Sequence, residues 1–316
     1  MNEHMKKLIL IPIFLCFVCM INAQIVKIQP KFEVGEEKYF LGSTKLKGGD
    51  TDYTLLFLQR IKVLSADKNG FTMEAEIIKI DLEYDHRTYE TDLAGTILKA
   101  RKNNIYKFKT NVDGVITSLL NADEVMKKGK ETLGDEWDVR FWAEYPDKFS
   151  NATAQLALDN IVFSGLTEEG FISWMSGAPF PFHLNGKEFG SERRYHYEAK
   201  DGLKMLRTVE LLSFDVNHNL KIGIKDKLDM TQEERKQFLL NQLKKDFPNQ
   251  TDKINIDELF KESGLKNYKK DLSFDYELDS SFWPTKYEII DADGDLLIRY
   301  KFWMLSDEQI RNFLGK

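Results

Sequence analysis

The chain has 316 residues, of which 42% are hydrophobic, 30% charged and 12% aromatic, with 19 Gly, 7 Pro and 2 Cys. That composition is too apolar and too aromatic for a disordered chain and too poor in Gly and Pro for a fibrous one. A formal net charge of -6 leaves no basic footprint and argues against nucleic acid as a main partner.

The first element in chain order is a targeting segment. Met1-Asn-Glu-His-Met-Lys-Lys7 is followed by the apolar run Leu8 to Ile21 and by Asn22-Ala23-Gln24. A basic start, a short apolar run and a small residue at its exit predict a secretory signal peptide over 1–23. The run is short for a span of about 20 apolar residues. Both cysteines, Cys16 and Cys19, fall inside it. Leu15 and Val18 precede them, where a lipid-attachment site wants a small residue. The expected product is exported to the periplasm or cell surface, unlipidated, without thiols and without a transmembrane segment. Its stability then rests on burial rather than on disulfides.

The mature chain reads as β-strands joined by tight turns. Phe71, Met73, Ala75 and Ile77 alternate with Thr72, Glu74 and Glu76, the period of a half-buried strand. The phase then shifts to Ile78, Ile80, Leu82 and Tyr84, which predicts a bulge or bend near Ile77–Ile78. Tyr106 and Phe108, then Leu220, Ile222 and Ile224, then Phe274, Tyr276 and Leu278, and lastly Ile298, Tyr300 and Phe302 alternate in the same manner. Hairpin chemistry joins such runs at Asn69-Gly70, Asp113-Gly114, Asn217-His-Asn219 and Asp293-Gly294.

Helices are fewer. A capping box, Thr231-Gln-Glu-Glu234, opens one that runs to Phe247 and stops at Pro248. Shorter helices are predicted over 122–133 and 256–263, with a terminal one opening at Ser306. A faint repeat relates Val63–Asn69 to Leu211–Asn217 and Gly35 to Gly186. The resulting expectation is a mainly β (α+β) protein with two curved, half-barrel-like antiparallel lobes and a few covering helices. The first lobe spans 24–160 and the second 161–316, with a helical insertion at 231–270.

Candidate chemistry is sparse. Of the histidines, His86, His183, His196 and His218 follow the signal, and no two stand at metal-ligand or triad spacing. Asp291-Ala-Asp-Gly-Asp295 lacks the spacing of a calcium loop and reads as a hairpin turn. Lys47-Gly48-Gly49-Asp50 lacks the tail of a phosphate loop, and no Gly-x-Ser-x-Gly elbow is present. No metal or cofactor is expected, and no catalytic residue is assigned. Asn151-Ala-Thr and Asn249-Gln-Thr match the glycosylation sequon.

The most suggestive stretch is Trp137 to Tyr145, which puts Trp137, Phe141, Trp142 and Tyr145 among Asp135, Glu136, Asp138 and Glu144. Trp faces stack on sugars, and paired carboxylates hydrolyse glycosidic bonds. The preferred reading is simpler: these rings pack the junction between lobes, and the acids form its solvated edge. Trp174 to Phe182 reads as a linker or as a flap over an apolar cavity. Trp137, Phe141, Trp142 and Trp174 are the candidate ligand-binding residues.

The Lys6-Lys7 signal ending in Asn22-Ala23-Gln24, together with Val34-Gly-Glu, Asn111-Val-Asp-Gly114 and Tyr276-Glu-Leu-Asp279, resembles a loose group of secreted β-rich Bacteroidota proteins of unknown function. The resemblance implies a periplasmic or surface β-protein and brings no catalytic residues. The architecture is also similar to the half-barrels of periplasmic lipoprotein carriers, although fold does not establish function. The leading expectation is a non-catalytic binding protein for a lipid or other apolar ligand. A glycan-binding or glycan-hydrolysing protein and a structural envelope protein are the alternatives.

Overall fold

A computed structural model describes residues 25–48, 52–149, 151–177, 180–190, 192–199, 202–214, 219–246, 255–294 and 296–314. The expected signal peptide with Cys16 and Cys19, the hairpin tip with His218, the stop at Phe247-Pro248 and the Asn249 sequon lie outside these residues.

The alternating stretches form strands, and nearly all join one sheet. Its strands are β2 (Glu37–Lys47), β3 (Tyr53–Asp67), β4 (Gly70–Tyr84), β5 (Ile105–Asn111), β6 (Ile116–Leu119), β8 (Glu192–Glu198), β9 (Lys204–Phe214), β10 (Leu220–Leu228), β11 (Lys270–Leu278), β12 (Pro284–Asp293) and β13 (Leu296–Met304). Their order is β6-β5-β4-β3-β2-β13-β12-β11-β10-β9-β8. All pairings are antiparallel and the sheet is open rather than closed into a barrel. Every neighbouring pair is consecutive in sequence except β2 and β13. The short strands β1 (Val26–Lys27) and β7 (Glu188–Phe189) pair with each other outside the large sheet.

The phase shift read in β4 is a bulge. Leu58 pairs with Lys79 and Gln59 with Ile77, so Ile78 has no partner on β3. That extra residue lets Met73, Ala75 and Ile77 on one side of it and Ile80 and Leu82 on the other share the inner face. Gly70, at the β3–β4 turn, has φ +147°, and a Cβ there would lie 1.9 Å from the carbonyl oxygen of Thr110. The close approach of β5 therefore requires glycine at this turn.

The first half of the inner face is covered by helices α1 (Tyr89–Arg101), α2 (Ala122–Leu133), α3 (Trp137–Glu144), α4 (Ala152–Phe163) and α5 (Glu168–Ser176). Beneath them Phe171 stacks on Tyr106 with ring centroids 5.0 Å apart, and both residues are fully buried. One continuous core runs from these helices across the β2–β13 junction. Phe40 stacks on Phe302 at 5.0 Å and Phe302 on Tyr287 at 4.6 Å. Tyr287 meets Tyr276 at 5.6 Å. Each such contact contributes about 0.5–1.5 kcal/mol beyond area burial.

Helices α6 (Gln232–Asp246) and α7 (Ile256–Glu262) lie between β10 and β11. The α6 capping box is present, with Thr231 N donating to Glu234 Oε2 at 2.9 Å and Glu234 N to Thr231 Oγ1 at 3.2 Å. Phe238 packs with Leu203, Met205 and Met230 in a second, smaller core. The terminal helix α8 (Asp307–Leu314) brings Phe313 to Leu41, Leu56 and Leu58 on the outer face.

Candidate functional site

Past α5 the chain lays a strap, residues 180–190, across the second half of the sheet. Its turns are fixed by His183 N donating to Phe180 O at 3.1 Å and Asn185 N to Phe182 O at 3.2 Å. Gly186 N donates to Ile28 O at 2.8 Å and Ile28 N to Lys187 O at 2.9 Å, so β1 ties the strap down. Gly186 takes φ +75°, the conformation this reversal needs.

Between the strap and strands β8–β11 lies a concavity of about 490 Å³. Its apolar wall is Phe189, Val209, Ile224 and Phe274, all buried. Register explains the wall: Val209 pairs with Ile224 and Ile224 with Phe274, so the three stand in a row on one face. Its polar groups are His183, Lys187, Glu188, Arg193, Tyr195 and Arg207.

The basic groups differ in their partners. Arg207 is held by Asp226, with Nε to Oδ1 at 2.7 Å and Nη2 to Oδ2 at 2.6 Å. Asp226 is buried, and Tyr197 OH also donates to it at 2.9 Å. Hydrogen bonding to that carboxylate pushes the guanidinium pKa up. The His183 ring lies nearly parallel to Phe274 and Tyr276 at 6.0 Å from each. His183 Nδ1 lies 3.1 Å from Ser176 O, which can only accept, so Nδ1 carries the proton. Nε2 is then the acceptor for Lys187 Nζ at 3.3 Å. Burial, and next the Lys187 charge, pull the imidazole down to about 4. The ring is therefore neutral at pH 7.

Lys187 is open to water at the mouth yet surrounded by protein, and this partial desolvation, with Arg207 nearby, lowers its ammonium to about 8. Among the described residues no carboxylate lies within 4 Å of Lys187 or Arg193. A second concavity of about 510 Å³, beside His196 and Lys204, differs in this respect. There Lys204 pairs with Glu234 at 2.7 Å and His196 with Asp229 at 2.9 Å.

The structure places the sequence candidates elsewhere. Trp137, Phe141 and Trp142 lie on α3 and Trp174 on α5, and none lines either of these concavities. Trp137 meets Phe163 edge-on at 5.6 Å. Phe141 packs among Tyr89, Tyr145 and Phe149, and the half-buried Trp142 packs against the main core. Trp174 meets Tyr106 at 5.8 Å and Phe180 at 4.9 Å, with Arg101 over its ring at 4.9 Å. All four thus pack with the core. Asp291 and Asp293 sit on the β12–β13 hairpin, where Asp293 accepts from Tyr268 OH and pairs with Lys270 at 3.3 Å. Among the described residues no group of three or more His, Cys, Asp or Glu converges as a metal site. No helix among them is long and apolar enough to cross a membrane.

Sequence reasoning missed Lys187, Arg193 and Arg207. The available signal was the cluster Lys187, Arg193 and Arg194 within eight residues of an acidic chain.

No family model matches the chain, and no curated protein matches it. A structure of lipovitellin, described for its lipid–protein interactions, is similar over 87% of this chain with a TM-score of 0.39 and 11% identity. The chain spans 26% of that protein's length. A Bacteroides fragilis NCTC 9343 protein described as exported and as having a YmcC-like fold is similar over 89% of this chain and all of its own, with a TM-score of 0.25 and 9% identity. DynF from the dynemicin biosynthesis pathway of Micromonospora chersina is similar over 91% of this chain and 88% of its own, with a TM-score of 0.16 and 6% identity. At these scores the likenesses are distant, and none bears on what the concavity holds.

Proposed function

We propose that the protein is an exported, non-catalytic binding module that holds a small apolar or amphiphilic ligand between the strap and strands β8–β11. The observation that carries this reading is the 490 Å³ concavity with its wall of Phe189, Val209, Ile224 and Phe274. Its size lies within the range of about 300–1,000 Å³ usual for small-ligand sites. An apolar wall faced by polar groups at the mouth suits an amphiphilic ligand rather than a wholly apolar one. Access comes from the sheet's open edge at β8, so a ligand enters without the core helices moving.

The test is uptake of a neutral naphthylamine fluorophore, with native mass spectrometry of protein purified from its own host. A blue-shifted, saturable signal and an extractable adduct are expected. Val209→Trp fills the concavity and removes both, with the circular dichroism spectrum retained as the control for folding. An apo mass together with no fluorophore uptake by the wild type overturns the reading.

A further inference from the structure

Resting on that reading, we infer that the ligand carries an anionic head group, a carboxylate or a phosphate, bound by Lys187 and Arg193 while its apolar part lies against Val209, Ile224 and Phe274.

Charge bookkeeping at the mouth leads there. Asp226 neutralises Arg207 through two hydrogen bonds of 2.7 and 2.6 Å. Lys187 and Arg193 line the same concavity with no ion pair to any described residue. The lining acid, Glu188, is exposed at the rim and pairs with neither. Two cations left unmatched on a chain of net charge -6 form a local positive field, which the low-dielectric wall beneath them strengthens.

The geometry also orients one of them. Phe274 and Tyr276 stack against His183, Ser176 O fixes its tautomer, and its Nε2 takes one proton of the Lys187 ammonium. The remaining two N–H groups are free to donate to an oxygen. Arg193 pairs in register with Val209 across β8–β9. Its fork therefore stands beside the apolar wall, suited to a planar carboxylate or a phosphate. An anion seated here restores to Lys187 the stabilisation that the concavity withholds, which accords with its ammonium lying at about 8 in the free protein.

Decanoate and decan-1-ol, equal in chain length, are the probes, titrated by displacement of the neutral fluorophore from the wild type and from the double variant Lys187→Gln, Arg193→Gln. Both residues are exposed and neither has an ion pair among the described residues, so this variant retains the fold. Decanoate is expected to bind at least about tenfold more tightly than decanol, and the double variant to bring the ratio near one with decanol unchanged. The decanoate affinity is flat from pH 6 to about 8 and then falls by up to tenfold per pH unit as Lys187 deprotonates. His183 stays neutral over that range; the other titratable or charged groups at the mouth are Glu188, Arg193, Tyr195 and the Arg207–Asp226 pair. Lys187→Gln abolishes the slope.

Equal affinities in the wild type, or a preference that survives the double variant, overturn the anion assignment and leave the apolar site standing. Binding of neither probe overturns the site itself. Inorganic phosphate that binds alone and is lost in the double variant supports the anion contacts. With decanol failing to bind as well, it identifies a free anion as the ligand and overturns the acyl part.

Discussion

Asp226 shows how one buried carboxylate organises the site's edge. It sits on β10 directly opposite Arg207 on β9, accepts from both Arg207 and Tyr197, and has no exposed side-chain surface. Removing one partner of a buried pair typically costs about 3–5 kcal/mol. The Arg207 side chain keeps 29% of its exposure and can regain water. Asp226→Ala is therefore expected to cost about 2 kcal/mol, read as a lower urea midpoint at unchanged m-value. The Asp226→Ala, Arg207→Ala double variant should cost less than the sum of the singles, with coupling above about 1 kcal/mol. Additive costs would mean that the pair is not coupled. None of this was legible in the sequence, where Arg207 and Asp226 are ordinary charged residues of two strands. Their meeting depends on the β9–β10 register, which exists only once the two strands pair.

Strands were the most legible elements because period 2 survives in the sequence wherever one face is wet. The phase shift at Ile77–Ile78 located the bulge to the residue. Helix α2 was legible over its whole length, and α6 from its capping box. Helices α1, α3, α4 and α5 were not read, and α4 shows a physical reason. In α4, Leu156, Leu158, Ile161, Val162 and Phe163 put apolar groups around much of the cylinder, so no amphipathic stripe marks it. The Trp174–Phe182 stretch, read as a linker or flap, divides between the end of α5 and the start of the strap. The two-lobe division at 160 remains a proposal. Every large-sheet strand before that residue lies on the β2 side of the β2–β13 pairing and every later one on the β13 side. The weight of this single pairing is testable. Lys301 sits mid-strand, opposite Ser43 on β2 and Glu288 on β12, with its side chain exposed. Lys301→Pro is expected to cost about 3 kcal/mol or more through the lost ladder bond and fixed φ. Lys301→Thr should stay within about 0.5 kcal/mol, since it keeps the backbone donor. Equal thermal midpoints for the two variants would mean that the seam contributes little.

At the scale of the whole molecule, all large-sheet pairings but one join strands that follow each other in the chain. They do so through hairpins or, at β4–β5 and β10–β11, across helical segments, and the exception joins the second strand to the last. Local pairings close small loops and form early; β2–β13 closes a loop of roughly 250 residues. Refolding is therefore expected to show fast recovery of strand signal followed by slower burial of Trp283, whose indole donates to Glu36 at 3.0 Å beside this seam. Stopped-flow circular dichroism and tryptophan fluorescence separate the two, and a single common rate would refute the order.

The same seam sets the chain's position during synthesis. At about 5–20 residues per second, β2 waits tens of seconds for its outer neighbour while its unpaired backbone faces other chains. Its outer face carries Lys45 and Lys47, and β13 brings Arg299 and Lys301 to the other side. Lysines of this kind discourage strand-on-strand association at an uncovered border. Those side chains on the outer surface of the finished sheet thus have a second task, completed before the fold exists: they keep nascent copies from pairing with one another until the correct strand arrives.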